Sequence, residues 1–234
     1  PKIDLQTNSV IAAEALVRWR LEDGTYLPPS SFVDIFEKNL FCSKLDFYML
    51  KKAIQQIRKW IDMGMNPVNI SVNQSKIVFY HENYISELKS LLEEYNVLGS
   101  YITLEVLEST VIEDIDMFNS ILTEVKKLGF SVSLDDFGSG YSSLNVLSKL
   151  QIDELKIDRI FLHTKSEVDN QRTKWILESI IDIAKKSQIL VVVEGVESKQ
   201  DDLFIKNLGA DVGQGYFYGR PLSISAFNDL IETK

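Results

Sequence analysis

Cysteine is almost missing from this 234-residue chain. Cys42 stands alone, so no intrachain disulfide can form and nothing in the cysteine pattern marks an oxidising compartment. Histidine is scarce as well, with only His81 and His163, both in segments expected at the surface. There is no Pro/Gly-rich hinge, no low-complexity linker and no short repeat. No apolar run approaches the ~18 residues needed to span a bilayer. Basic blocks are also lacking: 25 Lys and Arg stand against 34 Asp and Glu, a formal net charge of −9. That balance disfavours a general nucleic-acid binder or a protein held on anionic membranes. One specific anion can still be held if metal ions mediate the contact. What remains is ordinary globular composition, 45% hydrophobic and 25% charged, in a length that can bury a substantial core. The chain begins at Pro1, already close to strand-like sequence. We expect a single domain over residues 1–234, excised from a longer multidomain protein and located in the cytoplasm, whether or not the parent protein carries a membrane anchor.

Short β-branched runs alternate with stretches of helical period. Strands are predicted at Val10–Val17, Val68–Val72, Tyr101–Leu107, Phe130–Leu134, Glu154–Ile157, Ile189–Val193 and Gly213–Tyr216. Helices are predicted at Ser43–Met63, Tyr84–Tyr95, Asp116–Leu128, Thr173–Lys186, Gln200–Leu208 and Ile224–Ile231. Such alternation means parallel strands with crossover helices. A doubly wound sheet and a closed barrel both satisfy it. About seven or eight units in one stretch favour the (β/α)8 barrel. No glycine fingerprint follows the first strand, which weakens a dinucleotide-binding sheet.

The informative residues are those that interrupt the apolar strands. Glu14 sits in Ala13-Glu14-Ala15, Asn69 in Val68-Asn69-Ile70, Glu105 in Leu104-Glu105-Val106, and Lys156 in Leu155-Lys156-Ile157. Asp135 and Asp136 follow Leu134, Glu194 follows Val193, and Gln214 lies between two glycines. Any one of these is usually a solvent-facing or paired group. Seven strands that each carry a polar group at or near the C-terminal end are a different pattern, because active sites of this fold lie at that face. Carboxylates converging on one barrel mouth need cations. The candidate ligands Glu14, Asn69, Glu105, Asp135, Asp136 and Glu194 offer only oxygen, which suits magnesium, manganese or calcium rather than zinc or copper. Adjacent aspartates can serve two ions if the chain turns there, and two ions about 3.5–4 Å apart are a common device for phosphoester hydrolysis. The following stretch, Phe137-Gly138-Ser139-Gly140-Tyr141-Ser142-Ser143, reads either as a plain connection or as a loop that moves to complete the site. Glu108 is placed to accept hydrogen bonds from its serines or backbone.

These residues resemble the EAL-domain family of cyclic di-GMP phosphodiesterases. Glu14-Ala15-Leu16-Val17-Arg18 matches its EAL-x-R signature. Asn69-Ile70-Ser71 resembles its Asn-x-Ser strand and Glu105-Val106-Leu107-Glu108 its E-x-x-E. Residues Asp135 to Ser143 reproduce its DDFG-x-GYSS loop. Lys156-Ile157-Asp158, Glu194-Gly195-Val196-Glu197 and Gln214-Gly215-Tyr216 match its KID, EGVE and QGY segments. Seven motifs in family order, over nearly the whole chain, make the resemblance specific.

The resemblance implies a modified (β/α)8 barrel with an antiparallel first strand. The start at Pro1-Lys2-Ile3-Asp4-Leu5 leads us to expect that strand to be missing or truncated. It also implies hydrolysis of cyclic di-GMP to linear pGpG by metal-activated water. Glu14, Asn69, Glu105 and Asp135 would hold one Mg2+ or Mn2+, and Asp135 would bridge to a second with Asp136 and Glu194. Calcium is expected to inhibit. Glu194 would help deprotonate the water, and Lys156 would contact the water or phosphate, so Glu194, Lys156, Asp135 and Asp136 are the catalytic candidates. Leu16, Arg18, Asp158, Glu197 and Gln214 would contact substrate. Glu108 would anchor the serine-rich loop, which in the family couples dimerisation to metal binding, so a homodimer is expected. Leu107 replaces a residue that is often threonine, and is expected to alternate away from the metal face. The alternative reading is a catalytically inactive domain that binds cyclic di-GMP as a sensor.

Overall fold

A computed structural model of the chain describes residues 1–39, 41–108, 115–138, 144–162 and 167–232. Eight strands close into a barrel. They are β1 (Lys2–Asp4), β2 (Val10–Ala15), β5 (Asn69–Gln74), β6 (Ile102–Leu107), β7 (Ser131–Phe137), β8 (Glu154–Ile157), β9 (Leu190–Val193) and β10 (Val212–Gln214). Around the ring the order is β1-β10-β9-β8-β7-β6-β5-β2. After β2, a two-stranded hairpin of β3 (Trp19–Arg20) and β4 (Tyr26–Leu27) stands apart from the ring.

Strand β1 runs antiparallel to both neighbours, and the other pairings in the ring are parallel. The connection explains the direction. Only residues 5–9 separate β1 from β2, and so short a link can only send the chain back antiparallel. Asp4 shapes the turn: its Oδ1 accepts from the backbone N–H groups of Gln6 and Thr7. Asn8 takes the left-handed conformation that asparagine tolerates, at φ 57°. The first strand is thus present, and Lys2–Asp4 closes the ring.

Helices cover the outside: α1 (Val33–Lys38), α2 (Cys42–Asp62), α3 (Lys76–Phe79), α4 (Tyr84–Tyr95), α5 (Ile115–Lys127), α6 (Leu144–Lys149), α7 (Glu167–Lys186), α8 (Lys199–Asn207) and α9 (Ile224–Glu232). The predicted long helices all form. The short α1 and α3 and the β3–β4 hairpin lack a periodic signal of sufficient length to be read in advance.

Strand parity divides the barrel into two chemistries. Ile102, Leu104, Val106, Val132, Leu134, Leu155, Ile157, Val191 and Val193 point outward. They form the apolar core with Leu50, Ile54 and Ile57 of α2 and with helices α3 to α9. The alternate residues line the interior in register: Ser71 beside Thr103, Glu105 beside Ser133, Ser133 beside Glu154, and Lys156 beside Val192. Barrels of this architecture usually fill the interior with branched apolar side chains. This one fills it largely with polar and charged groups, so its hydrophobic stability resides in the strand–helix layer. Leu104→Ala, which empties a fully buried outward position, should cost about 2–5 kcal/mol in urea unfolding. A loss below about 1 kcal/mol would place the stabilising layer elsewhere.

Candidate active site

Lys156 projects from β8 into the mouth of the barrel, with 1% of its surface exposed. Its ammonium has three N–H donors, and three carboxylates take positions around it: Glu105 at 2.9 Å, Asp135 at 2.9 Å and Glu194 at 2.8 Å. Glu14 stands at 3.6 Å. These residues come from β2, β6, β7, β8 and the end of β9, so the ring itself gathers what the sequence scatters. Burial pulls the lysine toward neutrality, but the carboxylates of Glu105, Glu14, Asp135 and Glu194 overcome it and raise its pKa well above the usual value.

A second buried ammonium lies beside it. Lys2 of β1 donates to Ser71 Oγ at 2.7 Å, Glu105 Oε1 at 2.8 Å and Glu154 Oε1 at 2.7 Å. Glu105 therefore bridges the two lysines, Oε1 to Lys2 and Oε2 to Lys156. Burial alone would raise its pKa; Lys156 and Lys2 together bring it down to about 2. Asp135 behaves oppositely. Burial dominates, Glu105 and Glu194 add repulsion, and the single ion pair with Lys156 does not compensate, so its pKa is pushed up to about 8. Glu194 is raised as well, by burial first and against the pull of Lys156.

The two adjacent aspartates reach one space through a β-bulge. Between Leu134 and Phe137 the pairing with β8 slips, so three steps along β7 face two along β8. Asp136 sits in the left-handed region at φ 57°, and its N–H donates to Asp135 Oδ1 at 2.8 Å. In a regular strand the two side chains would point to opposite faces. Here carboxylate oxygens of Asp135, Asp136 and Glu194 all lie within 4.8 Å of one another. Gly195 follows at φ 67°, where a Cβ would collide with Arg159 Cβ. That turn lets the Val196 N–H reach Gln214 O at 3.1 Å, which joins the exits of β9 and β10.

One predicted ligand is corrected. Asn69 is the first residue of β5, and both ends of its amide are engaged there. Its Oδ1 accepts from Thr103 Oγ1, and its Nδ2 donates to Ser100 O. The residue beside Glu14 is Asn73, whose Nδ2 donates to Glu14 Oε1 at 2.9 Å. Four residue steps of strand take the chain from one asparagine to the other, about 13 Å along the strand. Asn73-Gln74-Ser75 also reads Asn-x-Ser, and the position of active residues at strand C-termini is the signal that separates it from Asn69-Ile70-Ser71. Leu107 is corrected too. It pairs with Asp135 and shares the face of Glu105, half exposed at the mouth rather than turned away.

Of the other predicted residues, Gln214 and Asp158 interact with this centre. Gln214 Nε2 donates to Glu14 Oε2 at 2.5 Å. Asp158 caps the turn Arg159–Phe161 through the Ile160 N–H and lies close enough to Asp136 to raise its pKa, after burial. Leu16 and Arg18 are exposed just past β2, with the guanidinium donating to Val17 O at 2.7 Å. Glu197 is exposed, and its N–H donates to Asp201 in the turn that starts α8. Glu108 is buried one residue beyond β6. Ser139 to Ser143 and His163 lie outside the described residues. Lys2, Asn73 and Glu154 join the site network although no motif marks them, and Ser71 joins it as the acceptor of Lys2.

Six carboxylates, Glu14, Glu105, Asp135, Asp136, Glu154 and Glu194, face two buried ammonium groups. With every carboxylate ionised the excess is four negative charges, which matches two divalent cations. Oxygen-only donors with excess negative charge at an open mouth fit hard divalent ions.

The fold and this centre define a barrel hydrolase-type site of acidic oxygen ligands and lysine. The EAL domain family model matches residues 1–221, and the chain belongs to that family. It is 33% identical over 222 residues to the bifunctional diguanylate cyclase/cyclic di-GMP phosphodiesterase MucR of Pseudomonas aeruginosa, covering 95% of this chain and 32% of that protein. It is 32% identical over 228 residues to the cyclic di-GMP phosphodiesterase PdeR of Escherichia coli, covering 97% and 34%. The chain thus spans about a third of the length of these curated relatives. Among solved structures, the MucR phosphodiesterase in complex with c-di-GMP superposes with a TM-score of 0.88 at 32% identity, covering 97% of this chain and 91% of that one. The EAL enzyme Bd1971 with cAMP and cyclic di-GMP bound gives 0.89 at 28%, covering 99% and 63%. Among the described residues no helix is long and apolar enough to cross a membrane.

The opposed shifts of Asp135 and Glu105 have opposite consequences for stability. A carboxyl raised to about 8 stabilises the fold fully at low pH, and that contribution is lost as pH rises through about 8. One lowered to about 2 contributes above its ordinary 4.5 and is lost as pH falls toward 2. In EDTA, the parent should lose stability to urea as pH rises from about 4 to about 8, and Asp135→Asn should flatten that loss. Equal slopes in the two proteins would refute the placement of the proton on Asp135.

Proposed function

We propose that this domain hydrolyses one phosphodiester of cyclic di-GMP to linear pGpG, using two Mg2+ or Mn2+ ions at the barrel mouth. One observation carries the reading: the Lys156 ammonium, held by Glu105, Asp135 and Glu194, adjoins the oxygen cluster of Asp135, Asp136 and Glu194. The names of the two relatives support the substrate class. Glu14, Asn73, Glu105 and Asp135 would hold one ion, and Asp135, Asp136 and Glu194 the other. Bound ions supply Lewis-acid charge at the phosphate and lower the pKa of water.

The chain's own groups do the rest. Glu194 has a raised pKa, which makes its carboxylate a stronger base for taking the proton of the attacking water. Lys156 stays charged and offers preorganised positive charge to the phosphoryl oxygens as negative charge grows on them. Its present contacts hold it in place, so little reorganisation accompanies the reaction. Gln214 and Asn73 clamp the two oxygens of Glu14 and fix its orientation. Asp158, near Asp136, and the exposed Leu16, Arg18 and Glu197 are the substrate contacts in this reading. The proposal also takes the working species to be a homodimer, with Glu108 anchoring the 139–143 connection, and calcium to inhibit.

Purified domain, cyclic di-GMP and Mn2+ should yield pGpG, and Glu14→Ala should abolish it. Binding without product would favour the sensor reading instead. Lys156→Met should lower kcat by about 10²–10³ with a much smaller change in cyclic di-GMP affinity. Asn73→Ala should raise the Mn2+ needed for half-maximal rate at least about tenfold, whereas Asn69→Ala should leave it unchanged. The reverse order would restore Asn69 to the site.

A further inference from the structure

Lys2 lies on the one strand that runs against the others, outside every motif discussed above. It is nevertheless among the largest fully buried side chains of the chain. Its three donors meet three acceptors on three strands, Ser71 on β5, Glu105 on β6 and Glu154 on β8. An ammonium has three N–H groups, so this tripod leaves none unused. Register explains why it forms. Lys2 pairs with Gln214 and Ala12 across β1, and Glu105 and Glu154 flank Ser133 from either side. The antiparallel start of the barrel thus delivers a cation to the layer directly behind the site.

Glu105 is the residue on which this matters. Its Oε1 is held by Lys2 and its Oε2 by Lys156. With both oxygens engaged and the side chain fully buried, its carboxylate plane is fixed. Lys156 faces three other carboxylates as well, so it is not dedicated to Glu105. Among the described residues, the carboxylates that Lys2 faces are Glu105 and Glu154. Without it, Glu105 Oε1 and Glu154 Oε1 would be buried carboxylate oxygens deprived of their cation. Glu105 would then keep its Oε2 contact with Lys156 but lose the second point that fixes its orientation.

We propose that Lys2 is a positioning residue that orients Glu105 as a metal ligand from behind. This rests on the proposed two-ion function and deepens it. The role acts through Glu105 and involves no contact of Lys2 with substrate.

The test titrates Mn2+ by calorimetry into the parent, Lys2→Met and Leu104→Ala, with folding checked by circular dichroism and thermal unfolding. Lys2→Met should weaken Mn2+ binding at least tenfold and shift the Mn2+ dependence of cyclic di-GMP hydrolysis by a similar factor. Excess Mn2+ should restore most of kcat. Leu104→Ala, destabilised without touching the network, should bind Mn2+ like the parent. Should Lys2→Met fail to fold, the double variant Lys2→Met/Glu154→Gln removes the second stranded carboxylate, and it should show the same weakening. Parental Mn2+ affinity in either folded Lys2 variant overturns the proposal. So does an equal loss in Leu104→Ala, which would reduce the effect to general destabilisation. A parent that neither binds Mn2+ nor hydrolyses cyclic di-GMP overturns the functional reading itself, and this inference with it.

Discussion

The Lys156 ammonium, enclosed by Glu105, Asp135 and Glu194 with Glu14 a little farther off, is the constraint around which the site is arranged. A lysine so deeply buried keeps its charge only if carboxylates converge on it, and carboxylates so close together tolerate one another only with cations between them. Each group makes the others possible. Removing Lys156 would leave Glu105, Asp135 and Glu194 without their shared cation, and breaking a buried pair in this way costs about 3–5 kcal/mol. Because one ammonium cannot neutralise its neighbours, the arrangement carries an excess of negative charge toward the mouth. That excess is what a divalent ion would meet.

The barrel makes this network possible by separating two tasks that most folds mix. Outward-facing strand residues form the apolar layer with the helices, and inward-facing residues are released to carry charge. The antiparallel β1 serves the second task. The short turn that follows it dictates its direction, and the strand brings Lys2 behind Glu105. A polar interior of this kind is tolerable because most of its members satisfy one another, Lys2 on Ser71 and Glu154, Asn73 and Gln214 on Glu14, Thr103 on Asn69, with Ser133 Oγ and Gln214 Oε1 the exceptions.

Local backbone irregularity completes the site where regular strands would defeat it. The bulge at Asp135–Asp136 turns two consecutive carboxylates to one side, and the left-handed Asp136 is held by the Asp135 carboxylate itself. Strained, non-glycine left-handed residues persist where the surroundings over-determine them. Here the surroundings are β8 on one side and the Lys156 network on the other. Gly195 plays the matching part at the end of β9, where only a residue without Cβ fits against Arg159.

Glu14, Glu105, Asp135, Asp136, Lys156 and Glu194 were visible in the chain because each breaks an apolar run, and because the break recurs at the end of strand after strand. The alternation of strands and helices was visible for a similar reason, since it depends on periods of two and 3.6 residues that any window reveals. Asn69 and Asn73 have the same parity and the same Asn-x-Ser surroundings, so period cannot choose between them. Their height along the barrel axis does, and that is set when Ala12 pairs with Asn69 and Asn73 with Glu105. Lys2 and Glu154 were equally hidden. A lysine near one end of a chain and a glutamate opening a strand are ordinary surface residues until 152 positions between them are folded into one ring. Local patterning records which face a side chain takes and how apolar its surroundings are. Pairing between distant strands decides its depth, its partners and its charge.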